Sequence, residues 1–249
     1  MPLIKKTGCQ YVDKSEITLS GIKKIVLLGD PGCTRFSENS QKILGRILDQ
    51  EADLFFMLGD LAFTDAEEEF RELIAFCDAR VQAPIFALRG NHDLSHYAKF
   101  FGLRSYALVL KPFVCFFLDD AKGHFAPEDL ELLRKTLEKY KERDFILLMH
   151  IPPTPRWDRR GLRQKDWDVL KAVLEPYRGR IRHIFCAHIH GFLEYEIDGF
   201  PVTITAGGGA AMIHLLVPPE KKLHHSVVLS LHRDGSWSSE VIPIRIGEV

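Results

Sequence analysis

The chain has 249 residues, 46% hydrophobic and 27% charged, a length that suits one large α/β domain spanning residues 1–249. A mean hydropathy of −0.06 and the lack of a long apolar run exclude a membrane-spanning chain. Lys plus Arg (33) against Asp plus Glu (34) leaves a net charge of −1, which argues against non-specific binding to nucleic acid, since that needs a positive field.

The opening Met1–Glu16 lacks the basic-then-apolar order of a secretory leader, and Met1 is followed by proline, which excludes myristoylation. The expectation is a cytoplasmic protein. Five widely spaced cysteines without a Cys-x-x-Cys pair indicate neither a disulfide framework nor a zinc finger.

Along the chain, Ile22–Leu28, Asp53–Leu58, Pro84–Leu88, Val114–Leu118, Phe145–Met149 and Ile181–Ala187 are short apolar runs. Runs of this length read as buried strands. Helical patterns lie between most of them. Ser37–Gln50 starts at a serine cap and carries the stripe Ile43, Leu44, Ile47 and Leu48. Asp65–Arg80 opens on a capping box from Thr64 to Glu67. Pro127–Lys141 begins with proline and acids and ends with lysines, as the helix dipole favours. Asp166–Tyr177 is the fourth. This alternation predicts crossover units and a largely parallel sheet. Phe192–Ile197 and Phe200–Thr205 flank Asp198-Gly199, and Val227–His232 and Trp237–Ile244 flank Asp234-Gly235. Both are hairpin signals, so the C-terminal part is expected to be antiparallel and the whole mixed α/β.

The strand ends carry the chemistry. Successive strands run into Gly29-Asp30-Pro31-Gly32, Gly59-Asp60-Leu61, Gly90-Asn91-His92-Asp93, His150-Ile151-Pro152 and Ala187-His188-Ile189-His190. Ligands of such sheets bind outside the carboxyl ends of the strands. Carboxylate, amide oxygen and imidazole together suit Zn, Mn or Fe. His188 and His190 splay apart if they sit in a turn, so that each reaches a different cation, and a carboxylate such as Asp60 has two oxygens with which to bridge a pair.

Asp30-x-Gly32, Gly59-Asp60, Gly90-Asn91-His92-Asp93, His150 and His188-x-His190 together resemble the five ordered motifs of the calcineurin-like metallophosphoesterases. The resemblance runs from about residue 22 to 210 and includes Gly207-Gly208-Gly209. It implies a four-layer sandwich of two mixed β-sheets flanked by helices. It also implies a dinuclear centre of Mn, Fe or Zn that hydrolyses phosphate esters, monoester or diester. By that likeness Asp60 bridges the metals, Asn91, His150 and His188 complete one site, and Asp30 and His190 belong to the other. His92 is the general acid and Asp93 orients its ring.

The chain departs from the family at Gly32, where most members carry a histidine ligand. Purple acid phosphatases share the glycine but supply a tyrosinate three residues after the second motif's aspartate, where this chain has Phe63. The expectation is a weak or exchangeable metal at the first site, with Cys33 as an alternative ligand or an inert thiol. Two readings therefore stand: a phosphoesterase acting on a small phosphate ester, including nucleotides, or a non-catalytic relative that binds a phosphorylated ligand or a protein partner. The basic stretch Pro152–Trp167, with Arg156, Arg159, Arg160, Arg163, Lys165 and Trp157, reads either as a lid over a nucleotide or as a solvated loop. His92-x-x-x-His96 formally resembles a zinc-protease pair but follows a strand. His183, His214, His224, His225 and His232 read as strand or hairpin residues, with His214, His224 and His225 also able to line the cleft.

Overall fold

The short apolar runs become strands with both faces covered. In Leu54–Leu58, Leu54, Phe56 and Leu58 enter one core while Phe55 and Met57 enter another. That is the pattern of a strand held between two layers. The computed structural model describes residues 5, 7–32, 37–111, 113–153, 160–212, 217–232 and 234–245. The strands among them are β1 (Gly8–Cys9), β2 (Glu16–Thr18), β3 (Lys24–Leu28), β4 (Leu54–Leu58), β5 (Pro84–Leu88), β6 (Tyr106–Val109) and β7 (Phe113–Phe117). They continue with β8 (Asp144–Leu148), β9 (Ile181–Cys186), β10 (Phe192–Ile197), β11 (Phe200–Thr205), β12 (His225–Leu231) and β13 (Trp237–Pro243). The helices are α1 (Glu38–Leu48), α2 (Glu67–Arg80), α3 (Tyr97–Phe101), α4 (Pro127–Lys139) and α5 (Gln164–Leu174).

The strands form two mixed sheets, ordered β1-β5-β4-β3-β12-β13 and β10-β11-β9-β8-β7-β6-β2. In the first, β1, β5, β4 and β3 are parallel and β12 and β13 antiparallel. In the second, β7, β8, β9 and β11 form a parallel centre. Ile43, Leu44, Ile47, Phe70 and Leu73 of α1 and α2 cover the outer face of the first sheet. Leu133, Leu137, Trp167 and Leu170 of α4 and α5 cover the second. The four-layer sandwich expected from the motif resemblance is thus the observed fold.

Two readings need correction. The single largely parallel sheet is divided, with β3–β5 in one sheet and β7–β9 in the other. Strands buried on both faces look alike whichever layer they join, so the division leaves no periodicity signal. The start of α2 is not capped by a Thr64–Glu67 box. Glu69 instead reaches back, its Oε2 accepting from the backbone N–H groups of Phe63 (3.1 Å), Thr64 (2.8 Å) and Ala66 (3.3 Å). Ser37 caps α1 as expected, and the Asp198-Gly199 turn has φ of 49° and 79° at its two central residues, as a tight hairpin of primed type requires. Asp198 also accepts from Trp167 Nε1 and Lys171 Nζ, both at 2.9 Å, which docks the hairpin on α5. Among the described residues Cys9, Cys77, Cys115 and Cys186 are buried free thiols; Cys33 and His214 lie outside them. No described helix is long and apolar enough to cross a membrane.

His183 on β9 gives the fold a pH signature. It stacks on Phe185 and hydrogen-bonds Thr203 Oγ1 at 2.7 Å, and burial lowers its pKa to about 4. The folded state therefore disfavours the imidazolium. Its contribution is complete above the ordinary pKa of 6.5 and is lost as pH falls toward about 4. Urea unfolding at stepped pH is expected to show a steeper loss of stability across that window in the wild type than in His183→Gln.

Candidate metal centre

The carboxyl ends of β3, β4 and β5 in one sheet meet those of β8 and β9 in the other. At three of these ends the chain turns through left-handed backbone at residues other than glycine, with φ of 58° at Asp30, 52° at Asp60 and 68° at His188. Such conformations are uncommon outside glycine, though Asp and His adopt them more readily than most residues, and they concentrate at functional sites. A Cβ on Gly90 would overlap the backbone nitrogen and Oδ1 of Asp60, so only glycine lets the two loops approach.

Each imidazole in the cluster has one nitrogen committed to a backbone carbonyl. His150 Nδ1 faces Leu58 O at 2.8 Å, His188 Nε2 faces Arg160 O at 3.1 Å, His190 Nδ1 faces Ala211 O at 2.9 Å and His92 Nδ1 faces Phe63 O at 2.9 Å. A carbonyl only accepts, so these nitrogens carry the N–H, and the opposite nitrogen presents a lone pair whenever the ring is neutral. This is the outer-shell arrangement that orients metal-ligating histidines.

In His150 and His190 that opposite nitrogen faces oxygens. His150 Nε2 lies 3.0 Å from Asn91 Oδ1 and 3.2 Å from Asp60 Oδ1. Asp60, His150 and His188 each offer a ligand atom within 4.8 Å of the others and form a group able to hold a metal ion. On the other side His190 Nε2 stands 3.6 Å from Asp30 Oδ1, a buried oxygen without a hydrogen-bond partner. Asp30 Oδ1 and His190 Nε2 thus face each other as acceptors, and the donor set of the cleft fits a borderline divalent ion.

Electrostatics carry the same message. Burial, and then the Asp60 charge, lift the Asp30 carboxyl well above its usual value. Burial opposes ionisation of Asp60, but the His150 charge and hydrogen bond hold it below the usual carboxylate range. Against its own burial, His150 is pushed up to about 10, by Asp60 first and then by Asp30 and Asp120. Burial, followed by the His150 charge, drives His188 down to about 3, and burial lowers His190. A proton on His150 balances Asp60 in the absence of any other positive charge.

The structure thus brings together all eight residues singled out by the motifs, but it links His92 and Asp93 indirectly. The Asp93 carboxylate accepts from the backbone N–H groups of Leu61 (2.9 Å), Ala62 (3.0 Å) and Gly90 (2.8 Å). Phe63, the next residue, supplies the carbonyl that holds the His92 ring. His92 N also donates to Asp60 Oδ1 at 3.0 Å. His96 stands at the residue before α3 with its ring on the Asp65 carbonyl, so it forms no helical pair with His92. A Cβ on Gly32 would overlap the Leu61 carbonyl: the position has closed, and Gly32 N donates to Asp60 O at 2.9 Å. Cys33 and residues 154–159 of the basic stretch lie outside the described residues.

Sequence reasoning missed the layer beneath. Asp120, fully buried after β7, accepts from His150 N at 3.0 Å and Ile151 N at 2.9 Å. Its neighbour Asp119 forms a two-pronged buried ion pair with Arg89, through Nε at 3.0 Å and through Nη2. Arg89 immediately precedes Gly90-Asn91-His92, so this pair ties the two sheets together under the site. The adjacent acids at a strand end, Leu118-Asp119-Asp120, were the available signal.

Calcineurin-like phosphoesterase is the family whose model matches the chain, over residues 23–192, which include every motif from Asp30 to His190. The chain belongs to this family. Among curated proteins, this phosphoesterase is 25% identical to 3′,5′-cyclic adenosine monophosphate phosphodiesterase CpdA of Haemophilus influenzae, over 98% of the chain and 96% of the relative. Its fold is that of a dimetal phosphatase from Danio rerio (TM-score 0.65, 13% identity, 89% of this chain and 96% of the other). A purple acid phosphatase from yellow lupin is similar as well (TM-score 0.66, 15% identity, 85% of this chain and 50% of the other).

The buried Arg89–Asp119 pair yields a prediction. Arg89→Met is expected to lower unfolding stability by about 3–5 kcal/mol by leaving Asp119 buried and uncompensated. The double variant Arg89→Met/Asp119→Leu should recover most of that loss in urea denaturation.

Proposed function

We propose that this calcineurin-like phosphoesterase is a metal-dependent hydrolase of small phosphodiesters, with 3′,5′-cyclic nucleotides as the first substrates to test. The observation that carries the reading is a set of four imidazoles each held by a backbone carbonyl, with His150 Nε2 facing Asn91 and Asp60, His190 Nε2 facing Asp30, and His188 grouped with Asp60 and His150. The full-length likeness to a cyclic nucleotide phosphodiesterase supports the diester class.

In this reading Asn91, His150 and His188 would hold one cation, Asp30 and His190 a second, and Asp60 would serve both. Bound there, divalent cations supply Lewis acidity, lowering the pKa of water to about 7 and neutralising charge on the phosphoryl oxygens. The side-chain amide of Asn91 adds a neutral oxygen to the donor set. His92 keeps its Nδ1–H on the Phe63 carbonyl; with a second proton on Nε2, the ring would act as the acid, giving that proton to the departing alkoxide and returning to the neutral form. Asp93 acts as a positioning residue: it fixes the Leu61–Ala62 backbone, and through Phe63 the angle of the His92 ring. Glu69, bonded to Phe63 N and Thr64 N, braces the same loop from α2. The Asp30 site, with fewer ligands, is the weaker and more exchangeable one.

The closed Gly32 position favours one competing reading, a metal-binding relative without turnover. Hydrolysis of cyclic AMP and of an activated aryl phosphodiester, assayed with Mn²⁺, Zn²⁺, Fe²⁺ and Co²⁺, separates the two. Metal-dependent turnover is expected, and His92→Ala should reduce kcat at least about 100-fold with metal content unchanged. Metal uptake without turnover of any ester would favour the non-catalytic reading, and unchanged turnover in His92→Ala would remove that residue's role.

A further inference from the structure

The Asp30 end of the cleft is short of ligands. No side chain fits at Gly32, Asp30 Oδ1 is buried without a partner, and His190 Nε2 faces it from 3.6 Å. The neighbouring strand brings another imidazole to this end. Strand β12 pairs antiparallel with β3, with Val227 opposite Leu27 and Val228 opposite Val26. Beyond the paired residues, His224 precedes β12 and Asp30 follows β3 at the same end of the sheet. The glycine run lies between them: Gly208 N donates to Gly29 O (2.8 Å), Ala210 N to Asp30 O (3.1 Å) and His225 N to Gly207 O (3.2 Å).

His224 and His225 differ in what their rings do. His225 uses both nitrogens, Nδ1 on Leu223 O at 2.8 Å and Nε2 on Thr205 Oγ1 at 3.1 Å. His224 Nδ1 is enclosed and has no hydrogen-bond partner, while its backbone is fixed by Ile244 N donating to His224 O at 2.7 Å. Burial lowers the His224 pKa against a hydrogen bond to the Gly207 carbonyl, and His190 is near enough to lower it further. His188 and His190 likewise hold one ring nitrogen on a backbone carbonyl, and burial disfavours the charged form of each.

We propose that His224 is a metal ligand of this cleft, its Nδ1 binding the cation held by Asp30, Asp60 and His190 in place of the imidazole that Gly32 cannot carry. The ligand class is a borderline divalent ion such as Zn²⁺, Fe²⁺ or Co²⁺, which an added imidazole favours over Mg²⁺. The inference rests on the two-cation reading above and adds a residue to it.

Cobalt titration of the full chain, followed by calorimetry and by visible absorption, tests the assignment without any activity assay. The wild type is expected to take up two Co²⁺. In His224→Ala one should bind unchanged and the other at least about tenfold more weakly, with an altered visible band. Circular dichroism verifies the fold of the variant. If the alanine variant fails to fold, His224→Gln, which keeps the bulk of the side chain, carries the same expectation. Two equivalents of unchanged affinity and spectrum in the variant would overturn the proposal. So would a single equivalent in the wild type that the substitution leaves untouched. A wild type that binds no cation would instead overturn the two-cation reading itself.

Discussion

Five carboxylates are buried where the two sheets meet, and the rest of the site is organised around compensating their charge. Asp93 is surrounded by backbone amides, Asp120 by the amides of His150 and Ile151, Asp119 by the Arg89 guanidinium, and Asp60 by the His150 ring. Asp30 is the exception, since one of its oxygens is buried with nothing to bond. A buried carboxylate oxygen without a partner costs several kcal/mol or forces protonation. The strong upward shift of Asp30 and the lift of His150 to about 10 are two aspects of this unmet demand for positive charge.

The fold supplies the geometry that makes such crowding possible. Short parallel strands covered on both faces end at one level, and left-handed turns at Asp30, Asp60 and His188 redirect the chain so that side chains converge instead of following their strands. The Arg89–Asp119 pair then joins the sheets directly below. The motif loops are held by backbone contacts more than by side-chain pairs: Phe63, Leu58, Ala211 and Arg160 contribute carbonyls, which explains how positions with no chemical distinction in the sequence orient every imidazole.

Much of this was legible in the sequence, for identifiable reasons. Strand ends carrying Asp, Asn or His are local features, so Asp30, Asp60, Asn91, His150, His188 and His190 could be gathered before any coordinates. The Asp198-Gly199 hairpin and the Ser37 cap follow from local turn chemistry and took the expected form. What escaped were relations between distant segments. Division of the strands into two sheets leaves no trace in hydrophobic period. Glu69 caps from inside α2, where a glutamate looks like any exposed helix residue. Gly32 read as a missing ligand, yet contact with Leu61 has removed the space for one. The pairing of Arg89 with Asp119 across 30 residues was invisible for the same reason.

The central claim is that charge compensation in this cleft is completed by two cations bridged by Asp60. A crystal of the protein grown with Mn²⁺ and measured at the manganese absorption edge tests it most directly. The account predicts two anomalous peaks flanking the Asp60 carboxylate, one among Asn91, His150 and His188 and one beside Asp30 and His190. Peaks elsewhere on the molecule, or an Asp60 and His150 still in direct contact with no peak between them, would contradict it.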